Sequence, residues 1–205
     1  MKLRSLASTL FAQLVLWAGL GSFACSADDD GDKGGAETVA ERDNLGATDQ
    51  TTEAAASTQA SACERGTLEP DFAAAPLAGS AVDAEGLRAG QYIVSSTYLQ
   101  LKPDARETFS GLVQPVLEDL ETRDGLLALS LGQSEACDVL RTLSVWRDDA
   151  AMVAFVTSAA HTAAMSRVAD LSRGGSAVTH WLADEDGATW EVAARQLEGA
   201  EGLLY

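Results

Sequence analysis

The stretch RTLSVWRDDAAMVAFVTSAAHTAAMSRVADL, Arg141–Leu171, decides the fold. Its opening residues alternate. Leu143 and Val145 point one way, and Thr142, Ser144 and Trp146 point the other. That period of two, in β-branched and aromatic residues, is the mark of a half-buried strand. Asp148-Asp149 ends the strand, and Asp148 suits the N-cap of a helix, where a carboxylate meets free backbone N–H groups and the positive end of the dipole. Met152, Phe155, Val156, Ala159 and Ala163 then form one apolar stripe at helical spacing, and His161, Ala164, Met165, Val168 and Leu171 or Ser172 form a second. At about 100° per residue the two stripes lie on nearly opposite sides of one straight helix. A helix buried all round accounts for both stripes; the preferred reading is a break at Thr157-Ser158, with Ser158 capping a second segment, which lets both stripes face one interior. His161 then lies on an inward face, one turn before Met165. A lone histidine on an apolar helix face is most simply a packed residue. Its other uses are acid–base work and ligation, because imidazole titrates near neutral pH.

Outward from this stretch the same reading continues. Gln91–Lys102 alternates as a first strand, with Ile93, Ser95, Thr97, Leu99 and Leu101 sharing a face. Pro103 and Asp104 open a helix over Asp104–Arg123, which Pro115 interrupts and kinks. Leu126–Gln133 is a second strand, with Leu127, Leu129 and Leu131 on one face and Leu126 and Ala128 on the other. A hairpin at Ser134–Asp138 leads to the strand Val139–Arg147. Gly174-Gly175 stops the second helix, Ser176–Ala183 is the fourth strand, and Ala188–Leu197 a short terminal helix anchored by Trp190 and Leu197. The order βαββαβ plus a final helix is an α+β, ferredoxin-like fold. Helices cover one face of its sheet. Strands apolar on both faces require a cover for the other, and the simplest is a second copy, sheet against sheet by two-fold symmetry.

The N-terminal third reads differently. Residues 1–24 have a basic start at Lys2 and Arg4 and an apolar run over Leu6–Leu20, the form of an export signal. Gly21-Ser22-Phe23-Ala24 before Cys25 resembles a bacterial lipobox, which makes Cys25 the lipidated residue and the membrane contact. Ser22 stands where that pattern has leucine, and Ser22-Phe23-Ala24 also suits an ordinary signal-peptidase site, which would give a secreted protein. Residues 25–66 are an acidic tether, too poor in large apolar side chains to offset the entropy of ordering. Residues 67–89 read as an irregular strap anchored by Leu68, Phe72, Leu77, Val82 and Leu87, and the domain proper as 90–205. With Cys25 lipidated in an oxidising compartment, Cys63 and Cys137 remain as a possible disulfide.

The net charge is −17, of which −7 falls in Ser26–Gly66 and −12 in Thr67–Tyr205, offset by the basic N-terminus. Acidity without a basic patch excludes nucleic acid and anionic membrane surfaces as natural partners. No nucleophile elbow, phosphate loop, CxxC or metal-ligand spacing is present.

The run TLSVW-RDDAAMVAFVTSAAHTAAM resembles the dimeric α/β-barrel superfamily, in particular its antibiotic-biosynthesis-monooxygenase-like (ABM) domains. There a strand ends in Trp, acids open a helix, and F-x-x-S-x-x-H follows, matched here by Phe155, Ser158 and His161. The resemblance spans about Gly90–Trp181. It implies a homodimer and a pocket for a flat apolar or aromatic small molecule. Some members of the group are cofactor-free oxygenases of aromatic polyketides. Others bind or degrade haem through the helix-two histidine, with a strand-three Trp and a strand-one Asn. Those roles fall on His161 and Trp146, while the Asn position falls near Thr97, a departure from the haem-degrader pattern. The site read from resemblance and residues together is His161 and Trp146 as catalytic pair, lined by Ser95, Thr97, Ser144, Phe155 and Met165, with no metal. No cofactor is expected, haem remaining possible. The competing reading is a non-catalytic binding or assembly module in which His161 is only packed and the strand hydroxyls only bond one another.

Overall fold

The structure, a computed structural model, describes residues 63–200. The export signal, Cys25 and the tether up to residue 62 lie outside the described residues.

Five strands form one antiparallel sheet: β1 (Ala73–Ala74), β2 (Tyr92–Gln100), β3 (Leu126–Ser134), β4 (Val139–Trp146) and β5 (Ala177–Ala183), in the order β1-β3-β4-β2-β5. The helices are α1 (Arg106–Glu121), α2 (Asp149–Val156), α3 (Ala159–Leu171) and α4 (Trp190–Glu198). Strands β2 to β5 with α1 to α3 make the ferredoxin-like βαββαβ unit. The break predicted at Thr157-Ser158 divides α2 from α3. Asp148 caps α2 by accepting from Ala151 N, and Ser158 caps α3 by accepting from His161 N.

The structure departs from the sequence reading in α1 and in β3. The first helix starts at Arg106 rather than Asp104, because Asp104 adopts a left-handed φ of 65° that no α-helix accommodates. Pro115 lies inside α1, which runs on as one helix to Glu121. In β3 a bulge between Leu126 and Ala128 shifts the register. Leu126 therefore joins Leu129 and Leu131 under the helices, whereas Leu127 packs on the opposite side.

The helix-side core holds Ile93, Leu117, Leu120, Leu126, Trp146 and Met152. The other face carries Tyr92, Val94, Ala128, Leu143 and Val145, and at its far end Tyr98, Val139 and Ala177. The sequence reading left this face to a second copy. In the structure the chain covers it with its own residues. Leu77, Val82, Leu87 and Trp190 pack on one end, Leu197 and Cys63 on the other. A sheet-against-sheet pairing of two copies is therefore blocked by the strap and α4.

The strap is built into the sheet. It runs antiparallel beside β3, with Ala75 N donating to Leu131 O at 2.9 Å, Ala78 N to Leu129 O at 3.1 Å and Ala81 N to Leu127 O at 3.1 Å. Two glycines permit the close approach. A Cβ on Gly79 would lie 2.1 Å from Leu127 O, and one on Gly132 would lie 2.5 Å from the Phe72 ring. Cys63 is disulfide-bonded to Cys137, and Arg141 and Glu69 form an ion pair with both side chains fully buried. Arg141 also donates to Thr67 O at 2.6 Å and stacks 4.6 Å above the Tyr98 ring. Asp71 holds the hairpin after β3, accepting from Ser134 Oγ, Glu135 N and Ala136 N. The packed unit thus reaches back to Cys63, well before Gly90.

Candidate functional site

The break between α2 and α3 shapes the site. A helix end leaves its last carbonyls without helical partners. Here Thr157 N returns to Val153 O and Ser158 N to Phe155 O, so Val156 O is free for a side chain. His161 takes it, with Nδ1 2.9 Å from Val156 O. A carbonyl oxygen only accepts, so Nδ1 carries the proton. Nε2 is then the basic nitrogen of the neutral ring, available to take a proton or to ligate. Burial lowers the pKa of His161 below the usual 6.5, outweighing the Val156 carbonyl and the Asp119 carboxylate, which both favour the charged ring. At neutral pH the side chain is a neutral base.

From His161 an aromatic row leads to the sheet. Its ring meets Phe155 edge-on at 4.8 Å, and Phe155 stacks on Trp146 at 5.3 Å. Phe155 therefore stands between His161 and Trp146, and these two do not form a direct pair. Trp146 is 1% exposed, so a ligand bound in this conformation meets Phe155 and His161 before it meets the indole.

Trp146 Nε1 donates to Ser144 Oγ at 2.9 Å. Ser144 Oγ lies 2.8 Å from Ser95 Oγ, and Thr97 Oγ1 lies 2.8 Å from Thr142 Oγ1. The register of β2 on β4 makes these pairs, since Ser95 faces Ser144 and Thr97 faces Thr142. The hydroxyls thus form a short ladder across the helix side of the sheet, partly exposed at Ser95, Thr97 and Thr142. Thr97, at the position where the resemblance expects Asn, is tied to Thr142. Met165 is partly buried on α3, one turn beyond His161. His180 is exposed on β5, opposite Ser95 in the register.

Sequence reasoning missed an ion pair, Asp119 with Arg123, that reaches the last turn of α2. Both oxygens of Asp119 accept from Arg123 Nη2, at 2.7 and 2.8 Å, and Arg123 Nη1 donates to Ala154 O at 3.1 Å. Their spacing of four, with Asp119 in the last turn of α1 and Arg123 just past its C-cap, was the available signal. Among the described residues, no group of three or more His, Cys, Asp or Glu lies close enough to hold a metal ion.

A βαββαβ sheet with its second helix broken at a capping serine, and a histidine seated on the break, defines an ABM-like α+β domain. Residues 93–167 match the family model described as antibiotic biosynthesis monooxygenase, so the chain carries an ABM domain there. Solved structures similar to this chain include Rv0793 of Mycobacterium tuberculosis, at 20% identity and a TM-score of 0.41 over 44% of this chain and 92% of that one. A conserved protein of Methanosarcina mazei aligns at 15% identity and a TM-score of 0.41, over 44% and 90%. PA3566 of Pseudomonas aeruginosa aligns at 14% identity and a TM-score of 0.40, over 46% and 95%. No curated protein matches the chain.

Proposed function

We propose that this domain binds a flat, aromatic small molecule on the helix side of its sheet and oxidises it with molecular oxygen, without a cofactor. The observation that carries the reading is the fixed tautomer of His161, a neutral imidazole with Nδ1–H held by Val156 O and a basic Nε2. Such a group suits removal of a proton from an activated C–H or phenol. A substrate methylene flanked by aromatic rings and a carbonyl loses a proton to Nε2. The carbanion reduces O2 and combines with it to give a hydroperoxide. Loss of water then leaves a ketone, so one O2 converts one CH2 to C=O and water. Phe155 offers an aromatic wall, and the partly exposed hydroxyls of Ser95, Thr97 and Thr142 offer polar fixing points, a composition usual for ligand sites.

The domain works outside the cytoplasm, tethered through a lipid on Cys25 or, if that cysteine is not modified, secreted. The Cys63–Cys137 bond supports this, because disulfides persist in oxidising compartments. Homodimers are general among proteins of this fold. A dimer of this chain would use a surface other than the strap face.

A second reading has its own support. A metal-ligating histidine ordinarily donates its other ring N–H to a carbonyl, the arrangement His161 already has. Haem binding through Nε2 is therefore the runner-up, with Thr97 in the Asn position against haem degradation. The buried, packed Trp146 supports a non-catalytic binding module instead.

One experiment separates the three. The purified protein and His161→Ala are given an anthrone under an oxygen electrode, and separately titrated with haemin by absorbance. Oxygen uptake that falls at least tenfold in the variant supports the oxygenase. A saturable Soret shift lost in the variant, without uptake, moves the assignment to haem. Identical behaviour of both proteins in both assays leaves a packed histidine and overturns the proposal.

A further inference from the structure

The helix side of the sheet is open along β5. The register sets three rows across it: Trp146, Ile93 and Leu182; Ser144, Ser95 and His180; Thr142, Thr97 and Val178. Cross-strand partners share a face, so β5 adds Leu182, His180 and Val178 to the side that carries the hydroxyl ladder. The rows are buried at Trp146, Ser144 and Ile93, partly exposed at Ser95, Thr97 and Thr142, and exposed along β5. Leu182 is 66% exposed and Val178 40%. Among the described residues, the other large hydrophobics this exposed are Val153 and Val156 on α2, the helix that carries Phe155. Apolar side chains left open together mark an interaction surface or a ligand groove.

Backbone direction brings His180 close to Ser95. Gln100 N donates to Ser176 Oγ and Gln100 O accepts from Arg173 N, so the backbone of Gln100 turns toward β5. Alternation along the strand then turns Ser95 and Thr97 toward β4. Ser95 and His180 are therefore a non-hydrogen-bonded pair, the kind with Cα atoms about 4.5 Å apart and the closer side chains. His180 thus extends a row that is already linked, Trp146 Nε1 to Ser144 Oγ at 2.9 Å and Ser144 Oγ to Ser95 Oγ at 2.8 Å.

We propose that His180 is a ligand-binding residue, its imidazole hydrogen-bonding a carbonyl or phenol oxygen of a neutral, flat aromatic molecule that lies on β5 beside the hydroxyl ladder, with Val178 and Leu182 as the apolar floor on either side. This deepens the reading of the helix side as the binding face and rests on it. The hydroxyls of Ser95, Ser144, Thr97 and Thr142 are already paired with one another, which leaves His180 as the exposed donor of its row. Its ring carries an N–H in either tautomer. Charge selects the ligand. The three rows include no carboxylate, ammonium or guanidinium, in a chain of net charge −17. An uncharged patch in an acidic molecule complements a neutral compound, not an ionic one. Val178 to Leu182 covers about 13 Å of strand, room for a fused-ring molecule. A floor that is mostly apolar with one or two placed polar groups is the usual make-up of such a site.

The test is a titration of the whole protein with 1,8-dihydroxyanthraquinone, a neutral three-ring compound with carbonyl and phenol oxygens, followed by backbone amide and His180 ring shifts in NMR. His180→Ala, His180→Gln, Leu182→Lys and, on the strap face, Glu191→Gln are titrated alongside, and their unbound spectra check folding. The expected result is saturable shifts at Ser95, Thr97, Val178, His180 and Leu182. His180→Ala should weaken binding about fivefold, the worth of one hydrogen bond. His180→Gln, which keeps a donor, should lie closer to wild type, Leu182→Lys should weaken binding at least as much as His180→Ala, and Glu191→Gln should bind as wild type does. No saturable shift in wild type, shifts confined to other surfaces, or equal affinity in wild type and His180→Ala would each overturn the proposal. Oxygen uptake separates this inference from the reaction. Weaker binding in His180→Ala with no uptake by any of the proteins keeps His180 as a binding residue and removes the oxygenase. Uptake lost in His161→Ala with unchanged binding in His180→Ala keeps the oxygenase and removes the role of His180.

Discussion

His161 shows how one side chain inherits its chemistry from a backbone defect. The helix break frees Val156 O, that carbonyl fixes the tautomer, and burial keeps the ring neutral. The pH dependence follows in sign. A lowered folded-state pKa means that the unfolded chain takes up the proton first as pH falls below 6.5. The contribution of His161 to stability is therefore complete above pH 6.5 and declines below it. The acid limb of a pH–rate profile for oxygen uptake belongs below 6.5 for the same reason, and a limb above that value would contradict a neutral, half-buried base. Part of this was legible in the chain. F-x-x-S-x-x-H with acids before it put His161 and Ser158 together, because capping and helical spacing are local. The place of Phe155 between His161 and Trp146 was not legible, since it depends on how three rings pack once the helix has docked.

At the scale of elements, the break and the strap differ in how the sequence announces them. Two apolar stripes on opposite sides of one helix can share an interior only if the helix bends, so Thr157-Ser158 could be read directly. Removing the cap tests its energetic weight. Ser158→Ala should cost about 1 kcal/mol in urea unfolding. It should also broaden the His161 ring signals, since the same hydroxyl anchors the first turn of α3. Full stability with unchanged ring signals would mean that the docking of α3 on α1, not the cap, sets the break. The strap carries no such signature. Leu68, Phe72, Leu77, Val82 and Leu87 follow neither helical nor strand period, because they are spaced by where an irregular segment crosses the sheet. The bulge at Leu126/Ala128 was hidden for a similar reason, as three leucines in alternation suit a straight strand equally well.

For the whole molecule, the decisive contact joins residues 72 positions apart. Arg141 and Glu69 are fully buried, and Arg141 bonds the strap through Thr67 O as well. Nothing local marks either residue, which is why the sequence suggested a second copy for the face they close. Glu69→Ala leaves a buried guanidinium without its carboxylate and should lower the unfolding free energy by about 3–5 kcal/mol. The measurement is equilibrium denaturation with the disulfide intact. A loss within the range of a solvated surface pair would mean that the strap is held by the disulfide and apolar packing alone.

The disulfide has a mechanical meaning as well. Cys63 is the first described residue, and its partner Cys137 lies in the tight turn between β3 and β4. Tension applied through any N-terminal attachment enters the fold at this covalent bond and passes directly to the turn between two paired strands. The segment between Cys63 and β2 is then a second path, in parallel with the covalent one. The covalent path through Cys137 takes up part of the load that the hydrogen bonds and the buried ion pair of that segment would otherwise carry.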